Sequence, residues 1–161
     1  VRDSLAVAES VVPGATENLL NLIVSKLSNL GWEGPKDEDA DIESLLRPLA
    51  LSSIAKYGYQ PVIDEALNRF RTFMNLRKLV LFNLLNYVNI NDKQSGDNKS
   101  NIPSSLRSVV YAVVVKNGGK DEFYAIKKYY LTVQDSTERQ WALISLGAVK
   151  DPELIQDCLE F

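Results

Sequence analysis

The fold is decided by the stretch Arg107-Ser-Val-Val-Tyr-Ala-Val-Val-Val-Lys-Asn-Gly118. Most residues at 109–115 are β-branched and, taken alone, favour a strand, because such side chains lose rotamer freedom on a helix. Two other segments of the chain share the pattern of this stretch and carry apolar residues at helical spacing. The penalty for valine in a helix is only about a few tenths of a kcal/mol per residue. We therefore predict that this stretch is a helix.

The shared pattern is a helix pair that occurs three times along the chain. Each copy begins at an arginine and reaches an aromatic residue 22 or 23 positions later, so the copies span 47–70, 107–130 and 139–161. The positions three and seven after each arginine are apolar and lie on one helical face. These positions are Ala50 and Ile54, Val110 and Val114, and Ala142 and Leu146. A lone helix pair cannot cover such a face, so neighbouring pairs must stack on it.

The repeats predict an all-α fold, namely a right-handed α-solenoid of antiparallel helix pairs similar to HEAT and armadillo repeats. We expect residues 1–161 to form one partial domain of a longer protein, since the chain opens at Val1 and closes at Phe161 within an apolar pattern. Glycine, proline and capping residues predict the other helices. These are expected at 3–12, at 16–30, from about Asp41 to Gly58, and from Pro61 to Phe70 or beyond.

The spacing between the first two copies is longer than the repeat requires. Arg47 and Arg107 are 60 positions apart, whereas Arg107 and Arg139 are 32 positions apart. The surplus falls at about 71–100, which we predict to be an inserted segment. Its apolar first part is followed by a polar run, so a loop is expected at 91–102.

Composition limits the chemistry that this chain can support. Of its 161 residues, 45% are hydrophobic and 24% charged, as in a soluble globular protein. The chain has no histidine and one cysteine, Cys158, which excludes His-based zinc sites, Ser-His-Asp and Cys-His catalysis, and an internal disulfide. A net charge of -3 offers no surplus of cations for a nucleic-acid partner. Without a long apolar run or a signal peptide, we expect no membrane partner and a cytoplasmic location.

Several short motifs, in their order and spacing, resemble the C-terminal helical domain of gluzincin zinc aminopeptidases of the puromycin-sensitive and fungal type. The motifs are Leu30-Gly31-Trp32 before an acidic loop, Leu45-Leu46-Arg47, residues 66–70, Leu106-Arg107-Ser-Val-Val-Tyr111, Gly147, residues 151–155 and residues 159–161. The resemblance covers most of 30–161 apart from the surplus segment at 71–100.

The resemblance implies a non-catalytic role for this chain. In that family the domain is a bowl of helix pairs that closes over a separate catalytic domain, which carries a HExxH zinc motif and releases N-terminal residues from peptides. HExxH is absent here, so we expect zinc only in the parent and no cofactor in this fragment. The implied partners are the catalytic domain of the parent chain and, in the full-length protein, a peptide substrate. The alternative is a free-standing helical-repeat adaptor that binds another protein.

Three arginines, Arg47, Arg107 and Arg139, come near the start of a first helix, where the helix dipole disfavours a cation. One interpretation is a structural ion pair with an acid of an adjacent helix. The other follows from the resemblance, in which an arginine in the Leu-Arg-x-x-Val-Tyr position lines the substrate cavity. Arg107 holds that position and is the substrate-chamber candidate. We expect Ser104 or Ser105 to cap its helix and leave the guanidinium directed outward.

The remaining clusters are predicted to be structural. The acidic run at 37–43 fits a solvated loop better than a calcium site, because its order is not that of an EF-hand. The cations at 69–78 fit a solvated helix face. Trp32, Trp141 and the aromatic residues of the repeats fit a core better than a peptide-binding wall. Apolar faces left open at both ends predict that the fragment self-associates.

Overall fold

The computed structural model describes residues 10–15, 17–18, 21–22, 24, 31–33, 41–85 and 101–160. From Asp41 onward the described residues include six α-helices and a short 3₁₀ turn, and no β-strand occurs among the described residues. The helices are α1 (Asp41–Lys56), α2 (Gln60–Leu85), α3 (Arg107–Asn117), α4 (Lys120–Thr132), α5 (Ser136–Leu146) and α6 (Pro152–Leu159), and the turn is Ser104–Leu106. The predicted all-α class is confirmed, while the handedness of the solenoid stays a prediction.

The chain falls into two compact units, Val1–Tyr59 and Gln60–Phe161. In the first unit, α1 ends at Lys56, two residues before the predicted stop at Gly58, whose φ of 85° is accessible to glycine at little cost. The N–H of Gly58 donates to the carbonyl of Ala55 at 3.1 Å and the N–H of Tyr59 donates to that of Ile54 at 3.3 Å. These two hydrogen bonds supply donors to carbonyl groups that otherwise lack a hydrogen-bond partner in the last turn of a helix.

Other predictions for the first unit concern its N-terminal residues and the apolar face of α1. The predicted helices at 3–12 and 16–30, and the acidic residues at 37–40, lie wholly or largely outside the described residues. On α1, Ala50 and Ile54 are buried as the repeat predicts. Four apolar side chains of the same helix are exposed, namely Ile42, Leu45, Leu46 and Leu49.

In the second unit, α3 is the central helix, because it packs against α2, α4, α5 and the 3₁₀ turn. Its side chains at 110, 111 and 113–115 are all buried. A helix with neighbours on several sides must be apolar around most of its circumference. The run of valines therefore reflects burial on a helix, and the prediction of a helix over 107–118 is confirmed to within one residue.

The apolar positions shared by the three repeat copies are buried, as the sequence predicts. All six of the positions three and seven after the repeat arginines are buried. The aromatic ends of the copies differ from one another. Phe70 is buried, Tyr130 is only half-buried and its neighbour Tyr129 takes the buried position, and Phe161 lies outside the described residues.

Polar contacts attach α6 to α4. Lys120 pairs with Glu153, the hydroxyl of Tyr124 donates to Asp157, and Lys127 Nζ donates to the carbonyl oxygen of Asp157 at 3.1 Å. Each helix also starts at a recognisable signal: α4 has acidic residues in its first turn, and α6 has an aspartate cap followed by proline.

The predicted insertion at 71–100 begins inside a helix, since α2 runs without interruption to Leu85. Residues 86–100, which include most of the predicted loop, lie outside the described residues. The chain is described again from Asn101, and Ile102 is fully buried. The domain boundaries given by the sequence stay a prediction.

Among the described residues, no helix combines the length and the apolar character that crossing a membrane requires.

Apolar side chains on the last two helices are open to solvent, and we predict that they cause the 161-residue chain to self-associate. Ile144 on α5 is 65% exposed and Leu159 on α6 is 78% exposed. Burying such groups against a second copy removes apolar surface from water. Sedimentation velocity at rising concentration should show a dimer or larger species at high micromolar protein, and Ile144→Lys with Leu159→Lys should reduce it.

The matched control is Gln140→Lys, which adds a charge to an exposed polar position of α5. This variant should self-associate like the unmodified chain. A monomer at high micromolar concentration would show that these side chains do not drive association.

Candidate functional site

A pocket of about 480 Å³ lies among α2, α3, α4 and α5 of the second unit. Its wall combines aromatic rings with charged groups. The lining residues are Phe73, Arg77, Ser104, Arg107, Tyr129, Val133, Asp135, Thr137, Glu138 and Trp141. A cavity of this volume falls within the range of small-ligand sites.

Glu138 is the buried acid of the pocket, with 6% of its surface exposed. It lies in the first turn of α5, where the positive end of the helix dipole favours a carboxylate. Asp135 caps this helix, because its Oδ1 accepts the backbone N–H of Glu138 at 2.8 Å. The cap therefore places the Glu138 side chain at a fixed position in the pocket wall.

Three side chains from two other helices bind the Glu138 carboxylate. Arg107 Nη1 donates to Oε1 at 2.7 Å, the Tyr111 hydroxyl donates to Oε2 at 2.8 Å, and the Tyr129 hydroxyl donates to Oε2 at 3.0 Å. Arg107 and Tyr111 belong to α3 and Tyr129 to α4. We call these four residues the Glu138 cluster. It compensates a buried charge with one cation and two neutral donors.

The two tyrosines of the cluster keep their protons over a wide pH range. Burial, the neighbouring carboxylate and the partner hydroxyl raise the pKa of Tyr111 far above its usual value. Burial first, and then the charge and hydrogen bond of Glu138, raise the pKa of Tyr129 to about 12. Both hydroxyls therefore remain donors to Glu138 at neutral pH.

Arg107 is the first residue of α3, but the predicted cap is wrong. Ser104 and Ser105 belong to the 3₁₀ turn, so Leu106 takes the cap position and no side chain caps the helix. The expected outward direction of the guanidinium is also wrong, because it forms an ion pair with Glu138 and its Nε contacts the carbonyl of Ile102 at 3.4 Å. The structural ion pair that the sequence left open is thus present, while Arg107 also lines the pocket.

The other two repeat arginines do not line this pocket. Arg47 lies in the second turn of α1 in the first unit and is 97% buried, with 3% of its surface exposed. Arg139 is exposed on α5, and its guanidinium carbon lies 5.8 Å from the centroid of the Tyr130 ring.

Arg77 is a pocket residue that the sequence did not reveal, because it lies among the cations predicted to form a solvated face. Its guanidinium carbon lies 4.5 Å from the centroid of the Tyr129 ring and 5.9 Å from that of Phe73. By contrast, Arg69 pairs with Glu65 of its own helix and Arg71 pairs with an acid of α4. The available signal was spacing, since Arg77 follows Phe73 by four positions and so shares its helical face. Trp141, which we predicted to be core, is half-buried and lines the pocket.

The residues present do not fit a zinc site. The chain has no histidine, and within the described residues no group of three or more His, Cys, Asp or Glu side chains is arranged to hold a metal ion.

Comparison with known proteins assigns the chain to a family. The model of the ERAP1-like C-terminal domain matches residues 1–161. The chain belongs to the ERAP1-like C-terminal domain family. The predicted resemblance to the C-terminal domain of a gluzincin aminopeptidase is confirmed.

The relatives of this ERAP1-like C-terminal domain are named as aminopeptidases. Aminopeptidase M1-B of Oryza sativa subsp. japonica is 26% identical over 147 residues, which cover 89% of this chain and 14% of the relative. Alanine/arginine aminopeptidase of Saccharomyces cerevisiae is 26% identical over 153 residues, covering 95% of this chain and 15% of the relative. Aminopeptidase M1 of Arabidopsis thaliana is 22% identical over 156 residues, which cover 95% of this chain and 15% of the relative. The chain thus spans only 14–15% of the length of these curated relatives.

The Glu138 cluster predicts a large loss of stability when its acid is removed. Glu138→Ala should lower the free energy of unfolding by roughly 3–5 kcal/mol, because it leaves the largely buried Arg107 without an anion. Urea unfolding of the 161-residue chain, followed by circular dichroism, measures this loss. The control Glu153→Ala breaks the ion pair with Lys120 on the surface and should change little. Equal small effects of the two variants would contradict the role of the cluster.

The raised tyrosine pKa values predict a loss of stability at alkaline pH. An unfolded tyrosine loses its proton near pH 10, whereas folded Tyr129 loses it near 12. Between these values the folded chain binds more protons than the unfolded chain, so the free energy of unfolding falls as pH rises from about 10 to about 12. Below pH 10 this contribution is fully present.

Unfolding measured at several pH values should show a smaller alkaline decrease for Tyr129→Phe than for the unmodified chain. Tyr130→Phe removes a hydroxyl from the neighbouring position and is expected to keep the full decrease. An identical pH dependence for all three proteins would contradict the assignment.

Proposed function

We propose that this chain is the non-catalytic C-terminal domain of a zinc metallo-aminopeptidase, in which it walls the substrate chamber. The parent would release N-terminal residues from peptides. The observation that carries the proposal is a pocket with aromatic and cationic walls in a chain whose family is the ERAP1-like C-terminal domain. The names of the relatives, which are aminopeptidases and far longer than this chain, support the proposal.

The chemistry of the pocket wall suits a peptide. Arg107 and Arg77 supply N–H donors for carbonyl and carboxylate oxygens, and Trp141 and Tyr129 offer aromatic faces for side chains. In the proposed chamber Arg107 remains paired with Glu138 through Nη1 and in contact with the carbonyl of Ile102 through Nε, and it lines the pocket that a peptide would enter. It acts by binding and orienting substrate, since bond cleavage belongs to the catalytic domain.

The proposed partners are therefore the catalytic domain of the same parent chain and a peptide substrate. Zinc would belong to that catalytic domain. We further propose a cytoplasmic location, which is supported by the single cysteine of the sequence.

Arg107→Ala in the full-length protein tests the chamber role. It should lower kcat/KM for a peptide by roughly tenfold, as expected for the loss of one charged hydrogen bond. The effect should be smaller for a single-residue arylamide, which is too short to reach beyond the catalytic centre. Because Arg107 also binds Glu138, the melting temperature and the folded fraction must be measured for the same samples.

Two controls separate binding from scaffolding. Arg139→Ala removes an exposed arginine outside the pocket and should leave both substrates unchanged. The 161-residue chain alone should show no turnover. If Arg107→Ala lowers the melting temperature but leaves kcat/KM of the folded enzyme normal for both substrates, Arg107 is a scaffold residue. If the full-length protein releases no N-terminal residue, the aminopeptidase proposal itself fails.

A further inference from the structure

Tyr111 lies behind the part of the pocket wall that Arg107 and Glu138 form. It follows Arg107 by four positions on α3, so the two side chains share one helical face. Arg107 lines the pocket, whereas Tyr111 is fully buried and is not among the described residues that line it. A ligand in the pocket can therefore contact Arg107, and any influence of Tyr111 on that ligand must act through another residue.

The carboxylate of Glu138 connects Tyr111 to Arg107. The Tyr111 hydroxyl donates to Oε2 at 2.8 Å, and Oε1 accepts from Arg107 Nη1 at 2.7 Å. The two oxygens belong to one planar group, so a donor that fixes Oε2 also fixes the direction in which Oε1 meets the guanidinium. The Tyr129 hydroxyl donates to Oε2 as well, at 3.0 Å. Tyr129 itself lines the pocket, so only Tyr111 can support the carboxylate without also contacting a ligand.

The ring of Tyr111 packs against three other aromatic rings. Its centroid lies 6.1 Å from that of Phe70, 6.3 Å from that of Phe73 and 5.8 Å from that of Tyr129. Close packing leaves the hydroxyl little freedom to move. A phenylalanine would fill the same space without burying a hydroxyl, which is costly unless it is hydrogen-bonded. The contribution that only a tyrosine can make here is thus the hydrogen bond to Glu138.

We propose that Tyr111 is a positioning residue for Arg107, because its hydroxyl orients Glu138 and Glu138 in turn orients the guanidinium in the pocket. Arg107 also contacts the carbonyl of Ile102 through Nε at 3.4 Å, and its guanidinium carbon lies 6.0 Å from the centroid of the Phe73 ring. The charged hydrogen bond to Glu138 is the shortest of these contacts and of the strongest kind. Loss of the Tyr111 hydroxyl should therefore widen the range of guanidinium orientations while the ion pair remains. That this orientation matters to a peptide rests on the proposed function.

The first test follows Arg107 itself by nuclear magnetic resonance, in the 161-residue chain labelled with the heavy isotope of nitrogen. A guanidinium held by an ion pair rotates slowly and gives resolved Nη–H signals, whereas a loosely held one gives an averaged signal. Loss of the signals in Arg107→Lys assigns them. Tyr111→Phe should average them. The matched control is Tyr124→Phe, which removes the hydroxyl of an exposed tyrosine that donates to Asp157, and it should leave them resolved.

Signals that are averaged already in the unmodified chain, or that stay resolved in Tyr111→Phe, would overturn the proposal. Circular dichroism of each variant checks that the fold is kept.

The second test measures the kinetics of the full-length protein for a peptide of several residues and for a single-residue arylamide. Tyr111→Phe should raise KM for the peptide about threefold with kcat kept, as expected for a change worth one neutral hydrogen bond. KM for the arylamide should change less, because that substrate is too short to reach Arg107. In the Arg107→Ala background Tyr111→Phe should have no further effect on the peptide, since the residue that it positions is absent. Tyr124→Phe should change neither substrate.

A role of Tyr111 in the scaffold alone predicts a different pattern. Tyr111→Phe would then change KM equally for both substrates, or would add a further loss to that of Arg107→Ala, and either result would overturn the proposal. If the full-length protein releases no N-terminal residue, the proposed function fails, and the resonance experiment still decides whether Tyr111 orients Arg107. If activity depends on Arg107 but not on the Tyr111 hydroxyl, the positioning role fails while the proposed function stands.

Discussion

The carboxylate of Glu138 joins three helices of the second unit. A buried charge is stable only when it is paired and hydrogen-bonded, because water no longer solvates it. Here α5 supplies the acid, α3 supplies Arg107 and Tyr111, and α4 supplies Tyr129. These bonds constrain how each helix is rotated about its axis, which apolar contacts alone do only loosely. The positions of the pocket wall follow from that constraint, since Arg107, Tyr129 and Glu138 are also lining residues.

Apolar packing and this polar cluster act on the same helix. The buried valines of α3 face neighbours on several sides, and Tyr111 extends from the same helix into an aromatic group. Its ring lies 6.1 Å from that of Phe70 and 5.8 Å from that of Tyr129. The tyrosine thus contributes apolar area through its ring and a hydrogen bond through its hydroxyl. The position of α3 is therefore fixed by both kinds of interaction.

Sequence patterns predicted the parts of this structure that depend on periodicity. The repeat identified the buried positions of α3 and α5, and Gly58 marked the end of α1 to within two residues, because local rules decide such features. The Arg107–Glu138 pair joins residues 31 positions apart, and periodicity indicates a helical face without naming its partner. Glu138 also carried a misleading signal, since an acid in a first turn is ordinarily solvated. The predicted serine cap is wrong because Ser104 and Ser105 form the 3₁₀ turn, so α3 begins only at Arg107. Composition does not reveal where such a turn ends and the helix begins.

The cluster also sets the electrostatic conditions of the pocket. Glu138 accepts hydrogen bonds from Arg107 and from two tyrosine hydroxyls. A substrate in the proposed chamber would therefore not face an uncompensated carboxylate, which would repel like charge strongly in a partly dry site. Arg107 thus has two tasks in the proposed function, because it compensates the charge of Glu138 and also lines the pocket.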